Sequence, residues 1–77
     1  MSAEHLVQMV NDIANFFGSE PDRRLAIDGV SNHIKKFWDP RMRRQILAHW
    51  REHDGAGLSD LARAAVAQLA DGAGVQT

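Results

Sequence analysis

Residues 35–44 read KKFWDPRMRR, and the Asp-Pro pair inside this stretch marks a boundary between two helices. Proline disfavours helical backbone geometry in the residue before it, so the preceding helix ends before Asp39. Asp39 is also a favourable N-cap, and Pro40 suits the first position of the helix that follows. The pair therefore predicts a sharp corner between two helices.

Helical periodicity extends from this corner in both directions. Apolar residues recur at helical spacing over 2–17, 22–37, 40–53 and 59–70. The stripes consist of Leu6, Val10, Ile13 and Phe17; Ala26, Val30, Ile34 and Phe37; Met42, Ile46 and Trp50; and Leu61, Ala62, Ala65, Val66 and Leu69. We expect an all-α fold, a compact small domain of four short helices packed as a bundle or as an orthogonal array. Residues 1–70 form this single helical domain, and 71–77 are expected to be a flexible C-terminal tail.

Two features of the second helix allow alternative explanations. Ser19 or Glu20 precedes Pro21, which suits the first turn of a new helix. Gly29 lies inside the helix, where glycine costs about 1 kcal/mol relative to alanine. A close helix crossing would explain Gly29, and so would simple tolerance of a glycine.

The composition excludes several classes of protein. The 77-residue chain has no cysteine, so disulfides and thiolate metal ligands are excluded and a reducing, cytoplasmic location is expected. The N-terminus does not have the pattern of a signal peptide, and no apolar run is long enough to span a membrane. The net charge of −1 gives no overall indication of nucleic-acid binding.

Residues 49–53, HWREH, match the H-x-x-E-H pattern of one class of zinc protease. His49 and His53 are four residues apart on one helix face and could share a zinc ion. A catalytic zinc needs a third protein ligand, however, and the sequence places no acid in a matching helical context. The chain is also too short to build a substrate cleft around the histidines. We therefore expect no catalytic residue and no metal site, and we expect His53 to be partly buried and hydrogen-bonded.

The basic stretch at the corner is the strongest functional feature, and three interpretations compete. In the first, the stretch is a core corner with Phe37 pointing inward, Trp38 lying over the junction and the basic residues in solvent. In the second it is a protein-docking site, because Trp and Arg are common interface hot spots and a rigid corner presents them at little entropic cost. In the third it binds nucleic acid phosphates. The candidate partner-binding residues are Lys36, Phe37, Trp38, Asp39, Pro40, Arg41, Arg43 and Arg44.

Two arginines and the first helix refine this interpretation. Arg43 lies at the edge of the apolar face, so it should stack on an aromatic ring, pair with Asp39 or Asp54, or bind a carboxylate or carbonyl of a partner. Arg41 points away from that face and is the better candidate for an interfacial cation. The apolar face of the first helix is unusually broad, so the helix either lies centrally in the domain or contacts another chain.

Three segments of the chain carry a family resemblance. The start has HLVQM at 5–9 and IANFF at 13–17, the centre has HIKKFWDPRMR at 33–43, and the end has GLSDL at 57–61 and AV at 65–66. These segments resemble the delta subunit of cytoplasmic, NAD-dependent, molybdenum- or tungsten-containing formate dehydrogenases. Family members often have proline where Asp60 stands, and an aspartate in the first helical turn is equally acceptable. The FWDPRMR run is the specific part of the match.

The resemblance implies a non-catalytic accessory subunit of a complex that oxidises formate to carbon dioxide with NAD as acceptor. Its role would be assembly, stability or maturation of the molybdenum cofactor. The molybdopterin, iron–sulfur clusters, flavin and NAD would belong to the large catalytic and electron-transfer subunits, which are the expected partners, and this chain would hold no cofactor. No nucleic acid and no membrane are expected as partners, although the isolated chain could associate weakly with itself. The alternative function is a small nucleic-acid-binding protein with a basic patch, or another helical adaptor.

Overall fold

The computed structural model describes residues 2–75, and these form four helices. They are α1 (Ala3–Phe17), α2 (Arg23–Phe37), α3 (Pro40–His53) and α4 (Asp60–Val75). Residues 2–75 contain no strand. The prediction of an all-α fold built from four short helices is confirmed, and the bounds of α3 agree with the predicted 40–53.

Side-chain caps explain where the four helices begin, including α4, where the Ser59 hydroxyl accepts a hydrogen bond from the Ala62 N–H at 3.4 Å. The Ser2 hydroxyl accepts a hydrogen bond from the His5 backbone N–H at 3.1 Å, and the Asp39 carboxylate accepts one from the Met42 N–H at 2.9 Å. Each cap satisfies a backbone donor that has no partner within the helix. Asp39 is therefore the N-cap of α3 and lies immediately after Trp38, the C-cap of α2, as the Asp-Pro pair predicts.

α2 begins at Arg23, within one residue of the predicted start at 22, but its cap is not one of the expected residues, Ser19 and Glu20. Asp22 is the N-cap, and its Oδ1 accepts hydrogen bonds from the N–H groups of Arg24 and Leu25. Glu20 instead accepts a hydrogen bond from the Asp22 N–H, and Pro21 lies before the helix. The carboxylate of Asp22 is the better cap because it reaches the first free N–H groups of the helix.

α1 and α4 lie at the centre of the domain. Each packs against the other three helices, whereas α2 and α3 make little contact beyond their shared corner. Most of the broad apolar face of α1 therefore lies in the core, whereas Phe16 at its edge is 77% exposed. Whether part of this face also contacts another chain stays a prediction. The buried apolar core consists of Leu6, Val7, Val10, Ala14, Ala26, Val30, Ile34, Trp38, Ile46, Ala62, Ala65, Val66 and Leu69.

Gly29 marks a close crossing of α1 and α2. A Cβ atom on this residue would lie 2.5 Å from Cδ1 of Phe17, so the Phe17 ring occupies the space that a side chain would need. Of the two explanations for this glycine, close helix packing is confirmed.

α4 continues to Val75, beyond its predicted end at Ala70. Gly72 lies inside the helix, and a Cβ atom on it would meet no described atom within 4 Å outside the backbone of the helix itself. Glycine at this position therefore weakens the helix without ending it. Residues 76 and 77 of the predicted tail lie outside the described residues. The division into a domain at 1–70 and a flexible tail at 71–77 stays a prediction.

Candidate functional site

Trp38, not Phe37, is the aromatic residue that packs inward at the corner. Trp38 is only 4% exposed, whereas Phe37 is 71% exposed, so the expectation of an inward Phe37 is wrong. The reason is the end of α2: Trp38 has extended backbone geometry (φ −87°, ψ 138°), and its N–H donates to the Ile34 carbonyl as the last helical hydrogen bond. Helical periodicity stops at this residue, and the change in backbone direction turns the indole towards the core.

Arg43 holds the corner through backbone carbonyls. Its Nη1 donates to the Trp38 carbonyl oxygen at 2.6 Å and to the Lys35 carbonyl oxygen at 3.3 Å. The guanidinium thus satisfies acceptors at the C-terminal end of α2, where positive charge is favourable. The expected pairing of Arg43 with Asp39 or Asp54 does not occur, because Asp39 caps α3 and Asp54 lies 3.9 Å from Arg63.

The other basic residues of the corner point into solvent. Lys36, Arg41 and Arg44 are exposed, and none of their side chains has a hydrogen bond or ion pair with any residue in the described range 2–75. Arg41 and Arg44 line a shallow polar groove of about 430 Å³ together with Asp39 and Pro40.

The structure therefore separates the candidate residues into two groups. Trp38, Asp39, Pro40 and Arg43 hold the backbone of the corner in place. We call the exposed residues Lys36, Phe37, Arg41 and Arg44 the corner surface. The core-corner interpretation agrees with the buried Trp38 and with the basic residues in solvent, and the docking interpretation stays a prediction for the exposed group.

A second feature, which the sequence did not single out, is an apolar groove between α1 and α2. It has a volume of about 340 Å³ and is lined by Asp12, Ile13, Phe16, Phe17 and His33. Phe16 is 77% exposed at its edge. The broad apolar face of α1 is the sequence feature that indicates this groove. The contribution of His33 from α2 depends on the tertiary packing and is not visible in the sequence pattern. We call these lining residues the α1–α2 groove.

The groove and the corner surface are linked through two rings. The His33 and Phe37 rings lie one helical turn apart on α2, with centroids 4.8 Å apart. This spacing places the exposed Phe37 beside a residue that lines the groove. The two surfaces are therefore neighbours along α2.

The histidines at 49 and 53 lie in different environments. His49 Nε2 lies 2.8 Å from the Ala56 carbonyl oxygen, to which it donates, while His49 Nδ1 is buried without a partner in the described residues. His53 is exposed, so the expectation that it is partly buried is wrong. His53 is the last residue of α3, and Asp54 turns the chain away from the helix in left-handed backbone geometry (φ 55°). No three His, Asp or Glu residues within the described part of the chain are grouped as metal ligands would be.

Asn11 fastens α1 to the loop between α3 and α4. Its Nδ2 donates to the Gly57 carbonyl at 3.0 Å, and its Oδ1 accepts from the Ser59 N–H at 2.8 Å. Sequence reasoning missed this residue because its partners are more than 40 positions away. Arg63 supports the same loop by donating to the Asp54 carbonyl at 2.6 Å and lying over the Trp50 ring.

Together these features define a small helical domain whose corner is fixed from within and carries exposed basic and aromatic side chains. No helix among residues 2–75 has the length and apolar character needed to cross a bilayer. The sequence model of one family, the NADH-dependent formate dehydrogenase delta subunit FdsD, matches residues 5–66. The chain belongs to this family, as its resemblance predicts. Comparisons with curated proteins and with solved structures give no match.

Proposed function

We propose that this chain is a non-catalytic accessory subunit that docks on the larger subunits of a NAD-dependent formate dehydrogenase through its corner surface. Membership of the delta-subunit family implies association with other subunits of that complex. The observation that carries the proposal is the exposure of Lys36, Phe37, Arg41 and Arg44 on a corner that is rigid without them. Arg and aromatic side chains are enriched among the residues that dominate binding energy.

Rigidity of the corner supports this assignment on energetic grounds. The buried Trp38 and the Arg43 hydrogen bonds fix the backbone that carries the exposed side chains. Because that backbone is already ordered, docking costs less conformational entropy than it would in a flexible loop.

The amino-acid composition supports placing the iron–sulfur clusters on other subunits. It has no cysteine and therefore no thiolate for an iron–sulfur cluster. In our proposal the molybdopterin, iron–sulfur clusters, flavin and NAD are held by the larger subunits, and the complex is cytoplasmic. The delta chain contributes to assembly, to stability or to maturation of the molybdenum cofactor.

A charge-reversal experiment tests the docking surface. Arg41→Glu with Arg44→Glu should reduce co-purification of the larger formate dehydrogenase subunits with a tagged chain by about tenfold or more. Arg24→Glu is a matched control, because Arg24 is also an exposed arginine at the second position of a helix. The circular dichroism spectra of all variants should remain those of a helical protein. Failure of the wild-type chain to retain any larger subunit would overturn the proposal.

A second experiment addresses the accessory role. The formate dehydrogenase complex should be purified from cells with and without this chain, and its molybdenum or tungsten content and subunit composition should be measured. We expect lower metal content or incomplete assembly without the chain, restored by the wild-type chain supplied in trans. Unchanged assembly, metal content and thermal stability would contradict an accessory role.

A further inference from the structure

The α1–α2 groove has walls that are already in place. Phe17 lies against Gly29, and the Phe16 ring meets the Phe17 ring edge-on with centroids 5.1 Å apart. His33 closes the other side, and its ring rests against Phe37. A preformed apolar groove of about 340 Å³ lies near the lower end of the range of about 300–1,000 Å³ seen for small ligand sites. Its size suits a bulky apolar side chain.

Charge along α2 restricts what can occupy the groove. Lys36 is exposed next to Phe37 and has no partner within the described residues, and Arg41 and Arg44 follow across the corner. The one acidic residue that lines the groove, Asp12, belongs to α1. An occupant that continues from the groove towards the corner therefore meets positive charge, which favours an acidic segment.

The same charges disfavour a second copy of this chain as the occupant. Among the residues whose burial is described, the large apolar side chains exposed outside the groove are Leu25 and Phe37, and their sequence neighbours include Arg24 and Lys36. Insertion of either side chain would bring basic residues of one copy towards the basic residues of the other. Like charges placed together across an interface oppose binding.

We propose that the α1–α2 groove and Lys36 together bind a segment of a larger subunit that carries a bulky apolar residue followed by acidic residues. The apolar side chain enters between Ile13, Phe16 and His33, and a carboxylate pairs with Lys36. This inference rests on the proposed docking function and names the chemistry of its partner. It adds the groove on α1 and α2 to the corner surface as one continuous interface.

Photo-crosslinking in the intact complex tests the identity of the occupant. Phe16→p-benzoylphenylalanine should crosslink to one peptide of a larger subunit, and mass spectrometry should find an apolar residue next to Asp or Glu in that peptide. The same replacement at Leu25 is the control, because Leu25 is exposed but lies outside the groove. A crosslink to a second copy of this chain, a crosslinked peptide without acidic residues, or no crosslink would overturn the inference.

Phe16→Ser separates this inference from the docking proposal, because Phe16 lies outside the corner surface whereas Lys36 belongs to it. Phe16→Ser and Lys36→Glu should each weaken retention of the larger subunits about tenfold. Only the Lys36→Glu effect should diminish at high salt, because an exposed ion pair is screened. Leu25→Ser and Arg51→Glu are the matched controls, since Arg51, like Lys36, is an exposed basic residue in the last turn of a helix. If the wild-type chain is retained and Arg41→Glu with Arg44→Glu abolishes retention while Phe16→Ser has no effect, the groove is excluded and the docking proposal stands.

Discussion

Arg43 donates a hydrogen bond of 2.6 Å to the carbonyl oxygen of Trp38, and this contact ties the first turns of α3 to the end of α2. The acceptor belongs to the residue whose indole is buried in the core. The basic stretch at the corner is thus partly structural, and charge alone does not identify which arginine is available to a partner.

Removal of this guanidinium should destabilise the domain. We expect Arg43→Ala to lower the free energy of unfolding by about 1–3 kcal/mol, because it leaves the part-buried Trp38 carbonyl contact and the exposed Lys35 carbonyl contact without a charged donor. Arg43→Lys should recover part of the loss, since an ammonium restores the charge but not the geometry of the guanidinium. Urea denaturation followed by circular dichroism measures the free energy of unfolding of both Arg43 variants. Arg41→Ala is the control and should change stability little; an equal loss in that variant would argue against the capping role of Arg43.

The crossing of α1 and α2 should not tolerate a methyl group. Gly29→Ala should destabilise the protein by about 1–3 kcal/mol, because its Cβ would overlap the Phe17 ring. Gly72→Ala offers a matched control within α4, where the space is open, and should stabilise the helix by up to about 1 kcal/mol. Thermal unfolding of the two variants distinguishes steric conflict from helix propensity. In a double-mutant cycle with Phe17→Leu, the Gly29→Ala penalty should shrink.

Ser31 should be replaceable by alanine with a gain in stability. Its side chain is fully buried, and its hydroxyl has no hydrogen-bond partner among the described residues. Because an unpaired buried hydroxyl costs free energy, Ser31→Ala should raise the free energy of unfolding by about 1 kcal/mol. Ser2→Ala should have the opposite effect, with a loss of about 0.5–2 kcal/mol, since the Ser2 hydroxyl caps α1. Chemical denaturation of the Ser31→Ala and Ser2→Ala variants measures the two changes in the free energy of unfolding. A destabilised Ser31→Ala variant would show that the Ser31 hydroxyl is hydrogen-bonded in solution.

Asn11 should contribute more to stability than an exposed polar residue on the same helix. Asn11→Ala removes both hydrogen bonds to the loop between α3 and α4, and we expect a loss of about 1–3 kcal/mol. Asn15→Ala, one turn further along α1 and exposed, should have little effect. Hydrogen exchange adds a local measurement, because the Ser59 amide should lose protection only in the Asn11 variant. Equal exchange of that amide in both variants would contradict the role of Asn11.

The helices were predictable because their signals are local. The adjacent residues Asp39 and Pro40 are sufficient to locate the start of α3. The apolar stripe of α1 follows from the spacing of its apolar residues alone. Ser19, Glu20 and Asp22 all lie near the start of α2, and spacing could not show which of them reaches the free N–H groups.

The candidate site was less predictable because its geometry depends on residues that leave the helical pattern. Periodicity placed Phe37 in the stripe of α2, but the extended backbone at Trp38 turned the next aromatic inward instead. His53 fell in the apolar arc of α3 and is nonetheless exposed, because the helix ends at this residue and the chain turns away at Asp54. The α1–α2 groove combines residues from two helices, so no single periodic pattern contains it.

The burial of Trp38 between two helices has a thermodynamic consequence for any complex that this chain forms. The residue is at once part of the core and the link between α2 and α3, so the corner cannot open without exposing the interior. A ligand that recognises only the folded corner would therefore raise the melting temperature of the whole domain, by an amount that grows with ligand concentration.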